Sequence, residues 1–438
     1  MIAGFVLIAV IGYYFLDLAA KVLNLASLRT TVPEEFAAFY DEQRYRRSQE
    51  YTRTNTFFEI ACSSVTLVAF LVFWRLGGFN ALDLWLRSFQ LPAVATGVAY
   101  FAALCIAREL LLLPFELYDT FVIEQRFGFN RSTLGTFVAD RIKQWVLSGI
   151  LMSAIVALVL FLFEHFGSRA WLVAWGATAL ASVFLMYIAP SIVLPLFYRL
   201  KPVASGELRE RVTKFCNRHR FPIRDLLVID GSRRSSKANA FFIGFGRNKR
   251  IALYDTLINN HTIGELLAVL AHEVGHFKHR HVIKQFLFGQ LNLLILFFAA
   301  SFFLSYTGLF TAFGVSSPSY YVGLALFLLL VRPVGILFGV IGNFWSRRHE
   351  FEADQFAAEA LRDASSLILA LKKLSRDNLS NLSPHPLLVA LHFTHPPVLA
   401  RINALRRLGL TESRIQEPGV RIQEPESRSQ ESGARTQE

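Results

Sequence analysis

Cysteine and charge are both scarce in this chain of 438 residues. There are three cysteines, Cys62, Cys105 and Cys216, and the first two lie within apolar stretches. An odd and small number of cysteines excludes a disulfide scaffold and a cysteine-based metal site. Charged residues make up only 18 % of the chain, against about 25 % in soluble domains. This shortage of charge also excludes an intrinsically disordered chain.

Apolar residues are abundant instead. They make up 53 % of the chain, and 41 residues are phenylalanine. A helix that spans a bilayer needs about 20 mostly apolar residues. The sequence therefore predicts a mainly α polytopic membrane protein with seven transmembrane helices. The predicted spans are 2–20, 57–74, 93–115, 145–163, 171–197, 286–311 and 319–343.

Lysine and arginine alternate between high and low numbers along the segments that join these spans. Segment 21–56 has six, 75–92 has two, 116–144 has four and 164–170 has one, whereas 198–285 is densely basic. Because basic loops stay in the cytoplasm, we expect the N-terminus outside and the large polar segments and the C-terminus in the cytoplasm. This distribution explains the net charge of +12 without a nucleic-acid partner, and makes the lipid bilayer the expected partner.

The polar part of the chain has α/β character. An apolar run at 226–229 predicts a strand, and the runs 239–243 and 249–254, separated by Gly-Phe-Gly, predict a hairpin. Residues 411–438 repeat Arg-x-Gln-Glu with interrupting proline and glycine, which predicts a disordered tail. The expected domains are a transmembrane domain of five spans at 1–200, a cytoplasmic polar segment at 201–285, two spans at 286–345, a second polar segment at 346–410 and the tail at 411–438.

The chain contains His-Glu-Val-Gly-His from His272 to His276. On a helix, residues four apart lie on the same face, so the two histidines can bind one metal ion. Glu273 would then lie beside the metal, where it can take a proton from water. Upstream, Thr262 and Glu265 have the spacing of a capping box, which predicts a helix that carries the motif.

A zinc site of this type needs a third protein ligand and an open position. The best candidate is Glu350, which lies in His-Glu-Phe-Glu-Ala-Asp. Asp354 is four residues further on and shares its face, so it can accept a hydrogen bond from the ring of a histidine ligand. Glu352 is turned about 200° away from that face. The sequence therefore predicts one Zn²⁺ per chain.

These motifs resemble those of the type-1 CAAX prenyl proteases, which are integral-membrane zinc metalloendopeptidases, and their bacterial relatives. The resemblance extends from the N-terminus to about residue 408 and rests on collinear motifs. They occupy 118–124 with 127–130, 230–232 with 235–242, 248–255, 272–276, 350–354, and 395–397 with Arg401.

The resemblance implies roles for individual residues. His272, His276 and Glu350 would bind zinc, and Glu273 would be the general base. It further implies an architecture, in which seven transmembrane helices enclose a chamber and a cytoplasmic zinc-metalloprotease domain contains a small β-sheet.

Other implied roles leave alternatives open. Asn239 and Ala240 would lie on an edge strand that holds the substrate, although Asn239 also suits a turn. His395 would stabilise the oxyanion, yet it could instead cap a helix, and His392 is a rival for the role. Arg401 could bind a substrate carboxylate or pair with Asp354 or Glu273.

The expected substrate is a peptide or protein with a prenylated or similarly apolar C-terminus, and the expected location is a bacterial inner membrane. One alternative is a quality-control metalloprotease for membrane proteins that does not require a lipid on its substrate. Another is a non-catalytic membrane scaffold that contains structural zinc. Glu273 argues against the scaffold, because a structural site closes all four positions with protein ligands and the sequence offers three.

Overall fold

The computed structural model describes residues 2–221, 223–243 and 250–410, and these are mainly helical. The predicted disordered tail at 411–438 and the turn of the predicted hairpin lie outside the described residues. In chain order, the helices of the described residues are α1 (Ile2–Ala26), α2 (Glu42–Arg75), α3 (Gly78–Arg87), α4 (Ala93–Tyr118), α5 (Glu124–Arg126), α6 (Leu134–His165), α7 (Ala170–Ile188), α8 (Val193–Phe197), α9 (Glu207–Arg218), α10 (Asp255–Asn260), α11 (Ile263–Lys278), α12 (His281–Phe303), α13 (Thr307–Ala312), α14 (Tyr320–Leu330), α15 (Arg332–Leu361), α16 (Ser365–Asp377), α17 (Pro386–His392) and α18 (Val398–Arg407). The strands are β1 (Leu200–Pro202), β2 (Asp225–Ile229), β3 (Ala240–Ile243) and β4 (Arg250–Tyr254).

Six helical segments of the described chain are long and apolar enough to cross a membrane, and α14 with α15 forms a seventh, bent candidate. This number agrees with the seven predicted spans. The six are Ile2–Ala26, Glu42–Arg75, Ala93–Arg126, Leu134–His165, Gly167–Ile188 and His281–Phe303.

The seventh predicted span, 319–343, is not the continuous helix that its apolar composition indicated. The chain bends by 52° between α14 and α15. Pro333 lies at the start of α15, where it lacks an N–H and its ring clashes with the carbonyl group four residues earlier. The predicted span 171–197 is also interrupted, because α7 ends at Ile188, just before Pro190. Apolar composition therefore predicts where these spans lie in the sequence, whereas the helices within them end or bend next to proline residues.

The sheet has four strands in the order β1-β2-β4-β3. β2 and β4 are parallel, whereas β1 pairs antiparallel with β2 and β3 pairs antiparallel with β4. The predicted strand at 226–229 and the predicted strand pair are therefore confirmed. Ile251, Ala252 and Leu253 of β4 are fully buried, as expected of a central strand covered on both faces. This arrangement leaves β3 at the edge of the sheet.

The spanning segments form a closed ring. α1 contacts α2, α2 contacts α4, and the sequence of neighbours continues through α6, α7, α12 and α15 back to α1. In each of three spans, only 6 % of the most apolar 18-residue stretch is buried. These spans are Glu42–Arg75, Ala93–Arg126 and Gly167–Ile188. A helix inside a solid bundle would bury a stripe about 100° wide, so these three spans are not packed inside a solid bundle.

The described residues contain two large hydrophobic cores. One core contains α3, α13 and α14 together with residues of the neighbouring spans. The other core contains the sheet, α9, α11 and α16. The helices α11 and α15, which carry the predicted metal ligands, both contribute to the second core, and the first core packs the spans elsewhere.

α11 and α15 approach each other closely at a glycine. A Cβ atom on Gly275 would lie 3.0 Å from both the Cα and the carbonyl oxygen of Ala353. Such a distance is tighter than ordinary side-chain packing allows, and both contact atoms belong to the backbone. The absence of a side chain at Gly275 therefore permits the approach of the two helices that carry the predicted ligands.

We expect Gly275→Val to destabilise the protein by about 1–3 kcal/mol, the usual cost of overpacking a core. The control is Gly264→Val on the same helix, where the nearest atom to an added Cβ is Ser366 Oγ at 3.6 Å. Thermal unfolding of the detergent-solubilised protein measures both changes. Equal melting temperatures for the two variants would show that the approach at Gly275 does not limit the packing.

Candidate metal centre

α11 carries both histidines of the motif and begins at a complete capping box. Thr262 Oγ1 accepts a hydrogen bond from the N–H of Glu265, and the Glu265 carboxylate accepts one from the N–H of Thr262. The helix then buries its apolar residues in the core that also contains the sheet, α9 and α16, and it continues to Lys278 without a break. This regular helix brings His272 and His276 to the same face, one turn apart.

Three donor atoms meet at this face. Nε2 of His272 and Nε2 of His276 lie 3.1 Å apart. In the Glu350 carboxylate of α15, Oε2 lies 3.4 Å from Nε2 of His272 and Oε1 lies 3.2 Å from Nε2 of His276. Ligand atoms about 2.0–2.1 Å from a tetrahedral zinc ion would lie about 3.3 Å from one another. The observed distances therefore match one metal ion held by these three residues.

The burial of Glu350 also indicates a cation. Its side chain is 5 % exposed, and Oε2 accepts no hydrogen bond from any residue of the described chain. A buried carboxylate oxygen without a partner is costly unless a cation compensates it. Arg401 Nη1 lies 3.4 Å from this oxygen but does not meet hydrogen-bond geometry. A bound metal ion would satisfy the unpaired oxygen.

Asp354 lies behind His272, one helical turn after Glu350. Its Oδ1 is 2.8 Å from Nδ1 of His272. Arg401 of α18 donates two hydrogen bonds to the same carboxylate, at 2.8 Å and 2.6 Å. With Nδ1 held by Asp354, the His272 ring directs Nε2 towards Glu350 and His276.

Arg401 is itself buried, with 9 % of its surface exposed. Burial disfavours its charge, but Asp354 outweighs burial and raises the pKa of the Arg401 guanidinium. Nε and Nη2 of Arg401 already donate to the Asp354 carboxylate. The geometry therefore favours an ion pair with Asp354 over the binding of a substrate carboxylate. The second role stays a prediction that no contact in the structure supports.

Glu273 is the member of the motif without a partner. It is partly buried, and within the described residues no side chain or backbone group forms a hydrogen bond or ion pair with its carboxylate. Burial raises the pKa of the Glu273 carboxyl, and the neighbouring Glu350 charge adds to the shift. This places an unpaired carboxylate with a raised pKa beside the candidate metal ligands.

His395 and His392 occupy different places. Nε2 of His395 lies 3.4 Å from Oε1 of Glu350, and its side chain is 66 % exposed, beside the cluster. Nε2 of His392 instead lies 2.7 Å from Asp17 of α1. The structure therefore places His395 beside the metal-binding groups and pairs His392 with a transmembrane helix.

Asn239 and Ala240 lie at the start of the edge strand β3, which contacts α11. The carbonyl oxygen of Asn239 accepts a hydrogen bond from Tyr254 of β4, and the Asn239 side chain accepts one from the N–H of Ala240. One side of β3 pairs with β4, so the other side is the edge at which an extended peptide could pair.

The motif segment at 118–130, which is helical up to Arg126, contacts the residues that lead into this strand. Lys237, two residues before Asn239, forms an ion pair of 2.9 Å with Glu124 and hydrogen-bonds to the Tyr51 hydroxyl at 2.8 Å. The Lys237 ammonium also lies 4.6 Å from the centre of the Phe129 ring. This partly exposed cation therefore ties the start of β3 to the membrane segments, a role that the sequence motif alone did not reveal.

Two further residues lie behind His276: His281, for which the sequence left open a solvated or a supporting position, and Glu352, for which the sequence predicted no role. His281 is 1 % exposed, and its Nδ1 lies 3.0 Å from Nδ1 of His276. On its other side, Nε2 lies 3.0 Å from Oε2 of Glu352. Glu352 faces away from Glu350, as its helical position predicted. It nevertheless contacts His281 of α12, which in turn contacts the candidate ligand His276.

Both halves of the chain match known protein families. Residues 21–199 match the family model described as "CAAX prenyl protease N-terminal, five membrane helices", and residues 202–408 match "Peptidase family M48". A Schizosaccharomyces pombe protein named "Probable CAAX prenyl protease 1" is 35 % identical, with 92 % of this chain and 88 % of the relative covered. An Arabidopsis thaliana "CAAX prenyl protease 1 homolog" is 34 % identical, with 92 % and 96 % covered.

The fold is similar to that of a solved relative. The crystal structure of S. mikatae Ste24p superposes with a TM-score of 0.88 at 28 % identity, covering 92 % of this chain and 99 % of that one. Family models, relatives and solved structure agree over nearly the whole described chain. The chain belongs to the CAAX prenyl protease 1 family, the multi-pass membrane metalloendopeptidases of peptidase family M48.

Proposed function

We propose that this membrane metalloendopeptidase uses zinc to hydrolyse peptide bonds near the C-terminus of prenylated, CAAX-type or similarly apolar substrates. The observation that carries the proposal is the cluster of His272, His276 and Glu350 donor atoms beside the unpaired carboxylate of Glu273. The names of the relatives supply the CAAX substrate class, and a chamber within the ring of spans would suit an apolar substrate segment.

His272, His276 and Glu350 would hold one Zn²⁺ per chain, with Asp354 fixing the orientation of His272. Zinc in such a site acts as a Lewis acid, which polarises a carbonyl group and makes a neighbouring water more acidic. Three protein ligands leave a position open, as catalytic zinc sites require.

The remaining steps fall to side chains of the chain itself. Glu273 takes a proton from the attacking water and delivers it to the leaving amine. Its raised pKa makes the carboxylate a stronger base towards the water, and a pKa closer to the operating pH lets one group both accept the proton and return it. His395, which is exposed beside Glu350, donates a hydrogen bond to the oxyanion.

The substrate would bind as an additional strand. An extended peptide at the edge of β3 forms main-chain hydrogen bonds near Asn239 and Ala240, which largely ignore sequence. Its apolar terminus would lie in the chamber.

The alternation of basic loops supports an active site that faces the cytoplasm and an N-terminus outside, and a bacterial inner membrane stays our prediction for the location.

We expect Glu273→Gln to retain one zinc per chain and to lower kcat by at least about 10²-fold, because it removes the proton acceptor but no metal ligand. Elemental analysis of the purified protein and single-substrate kinetics measure the two quantities. The control is Glu359→Gln, an exposed glutamate of α15. Cleavage at the unmutated rate by Glu273→Gln would contradict its role as the base.

Cleavage of a farnesylated peptide beside its unlipidated twin tests the substrate class. We expect kcat/KM at least about tenfold higher for the lipidated peptide, since burial gains about 0.8 kcal/mol per methylene and tenfold requires only about 1.4 kcal/mol. Mass spectrometry should show cuts close to the lipidated cysteine. Equal cleavage, or cuts far from the lipid, would favour the quality-control alternative.

A further inference from the structure

Two histidine ligands must each direct a lone pair at the same metal ion. A neutral imidazole has one N–H and one lone pair, so a ring that binds metal through Nε2 carries its proton on Nδ1. The partner of Nδ1 therefore decides whether the ring is oriented and in the correct tautomer. For His272 this partner is the carboxylate of Asp354, at 2.8 Å.

For His276 the partner of Nδ1 is another histidine. Nδ1 of His281 lies 3.0 Å away, and Nε2 of His281 lies 3.0 Å from Oε2 of Glu352. An ionised carboxylate only accepts hydrogen bonds, so His281 must donate to it from Nε2. A neutral His281 then has a lone pair on Nδ1, and His276 must donate to it. His276 Nε2 is left with a lone pair that faces His272 and Glu350.

The surroundings hold this chain of hydrogen bonds in place. Arg280 adopts a left-handed conformation with φ of 57°, which turns α12 back so that its first residue reaches His276. The ring of His281 stacks on His349 with centroids 4.0 Å apart and an interplanar angle of 12°. Arg348 lies 3.4 Å and Lys284 4.0 Å from the Glu352 carboxylate, so the carboxylate that faces His281 is also flanked by two cations.

We infer that His281 and Glu352 are positioning residues for the metal centre, which fix the tautomer and orientation of His276 as Asp354 does for His272. This inference rests on the proposed metal site, although it concerns metal affinity and not the choice of substrate. It assigns a role to a carboxylate on the face of α15 opposite Glu350, and to the first residue of a membrane-spanning helix.

A second metal ion is the competing use of these residues. Donor atoms of His279, His281 and Glu352 lie within 4.8 Å of one another. That ion would need the lone pair of His281 Nε2, which in our account is protonated and donates to Glu352. Arg348 and Lys284 would also repel a second cation there.

Two substitutions at His281 separate hydrogen bonding from packing. Phenylalanine keeps a ring that can stack on His349 but accepts no hydrogen bond, whereas asparagine loses the ring and keeps an acceptor near the position of Nδ1. We expect His281→Phe to weaken zinc binding about 10–100-fold, the usual effect of losing such a supporting partner. His281→Asn should recover most of this loss. Chelator competition on the full-length protein in detergent measures both affinities.

Glu352 provides a second test that does not depend on a buried ring. We expect Glu352→Ala to weaken zinc binding about tenfold, and Glu352→Gln to bind nearly normally because its amide oxygen still accepts from His281. Asp354→Asn is the positive comparison and Glu359→Ala, on an exposed part of the same helix, the negative one. The visible spectrum of the cobalt-substituted protein should change in His281→Phe and Glu352→Ala but not in Glu359→Ala.

Three results would overturn the inference. They are unchanged zinc affinity in both His281→Phe and Glu352→Ala, weaker binding by His281→Asn than by His281→Phe, and a second bound zinc ion that His279→Ala removes. Because affinity and spectrum are measured without substrate, a protein that binds zinc as described but cleaves no peptide would contradict the proposed function alone.

Discussion

The close approach of α11 and α15 is the constraint on which the candidate site depends. Gly275 allows the backbone of α15 to lie against α11, and this contact brings Glu350 to the two histidines of the motif. The same contact buries several charges, which is tolerated because Asp354 lies between His272 and Arg401. If the helices separated, the three donor atoms would part and the buried carboxylates would lose their partners.

The membrane architecture and the site share α15. Its first half belongs to the bent seventh span and its second half carries Glu350 and Asp354, so the metal centre is rigidly continuous with the ring of spans. The edge strand is likewise fixed to the membrane segments, through Lys237 and Glu124. An apolar substrate segment in the chamber and a scissile bond at the metal would therefore be held by one connected framework. This connection is a physical reason for a protease to be built into a ring of membrane helices.

Local patterns predicted much of this arrangement. The spans follow from hydropathy, the start of α11 from the capping box at Thr262, and the pairing of His272 with His276 from helical spacing. The bend before α15 was missed because Pro333 hardly changes the apolar composition on which a span prediction rests. The contact between His281 and Glu352 was not predicted because a helical wheel treats each helix alone, whereas the left-handed Arg280 between α11 and α12 brings the two residues together. The contact between the segment at 118–130 and Lys237 is a tertiary contact, so it was not predicted for the same reason.

X-ray absorption at the zinc edge of the purified, full-length protein tests the central claim most directly, namely that α15 completes a site begun by α11. We predict a first shell of two imidazole nitrogens together with oxygen ligands at about 2.0–2.2 Å, and the loss of one oxygen ligand in Glu350→Ala. Sulfur in the first shell, a third imidazole, or a spectrum unchanged by Glu350→Ala would contradict the account.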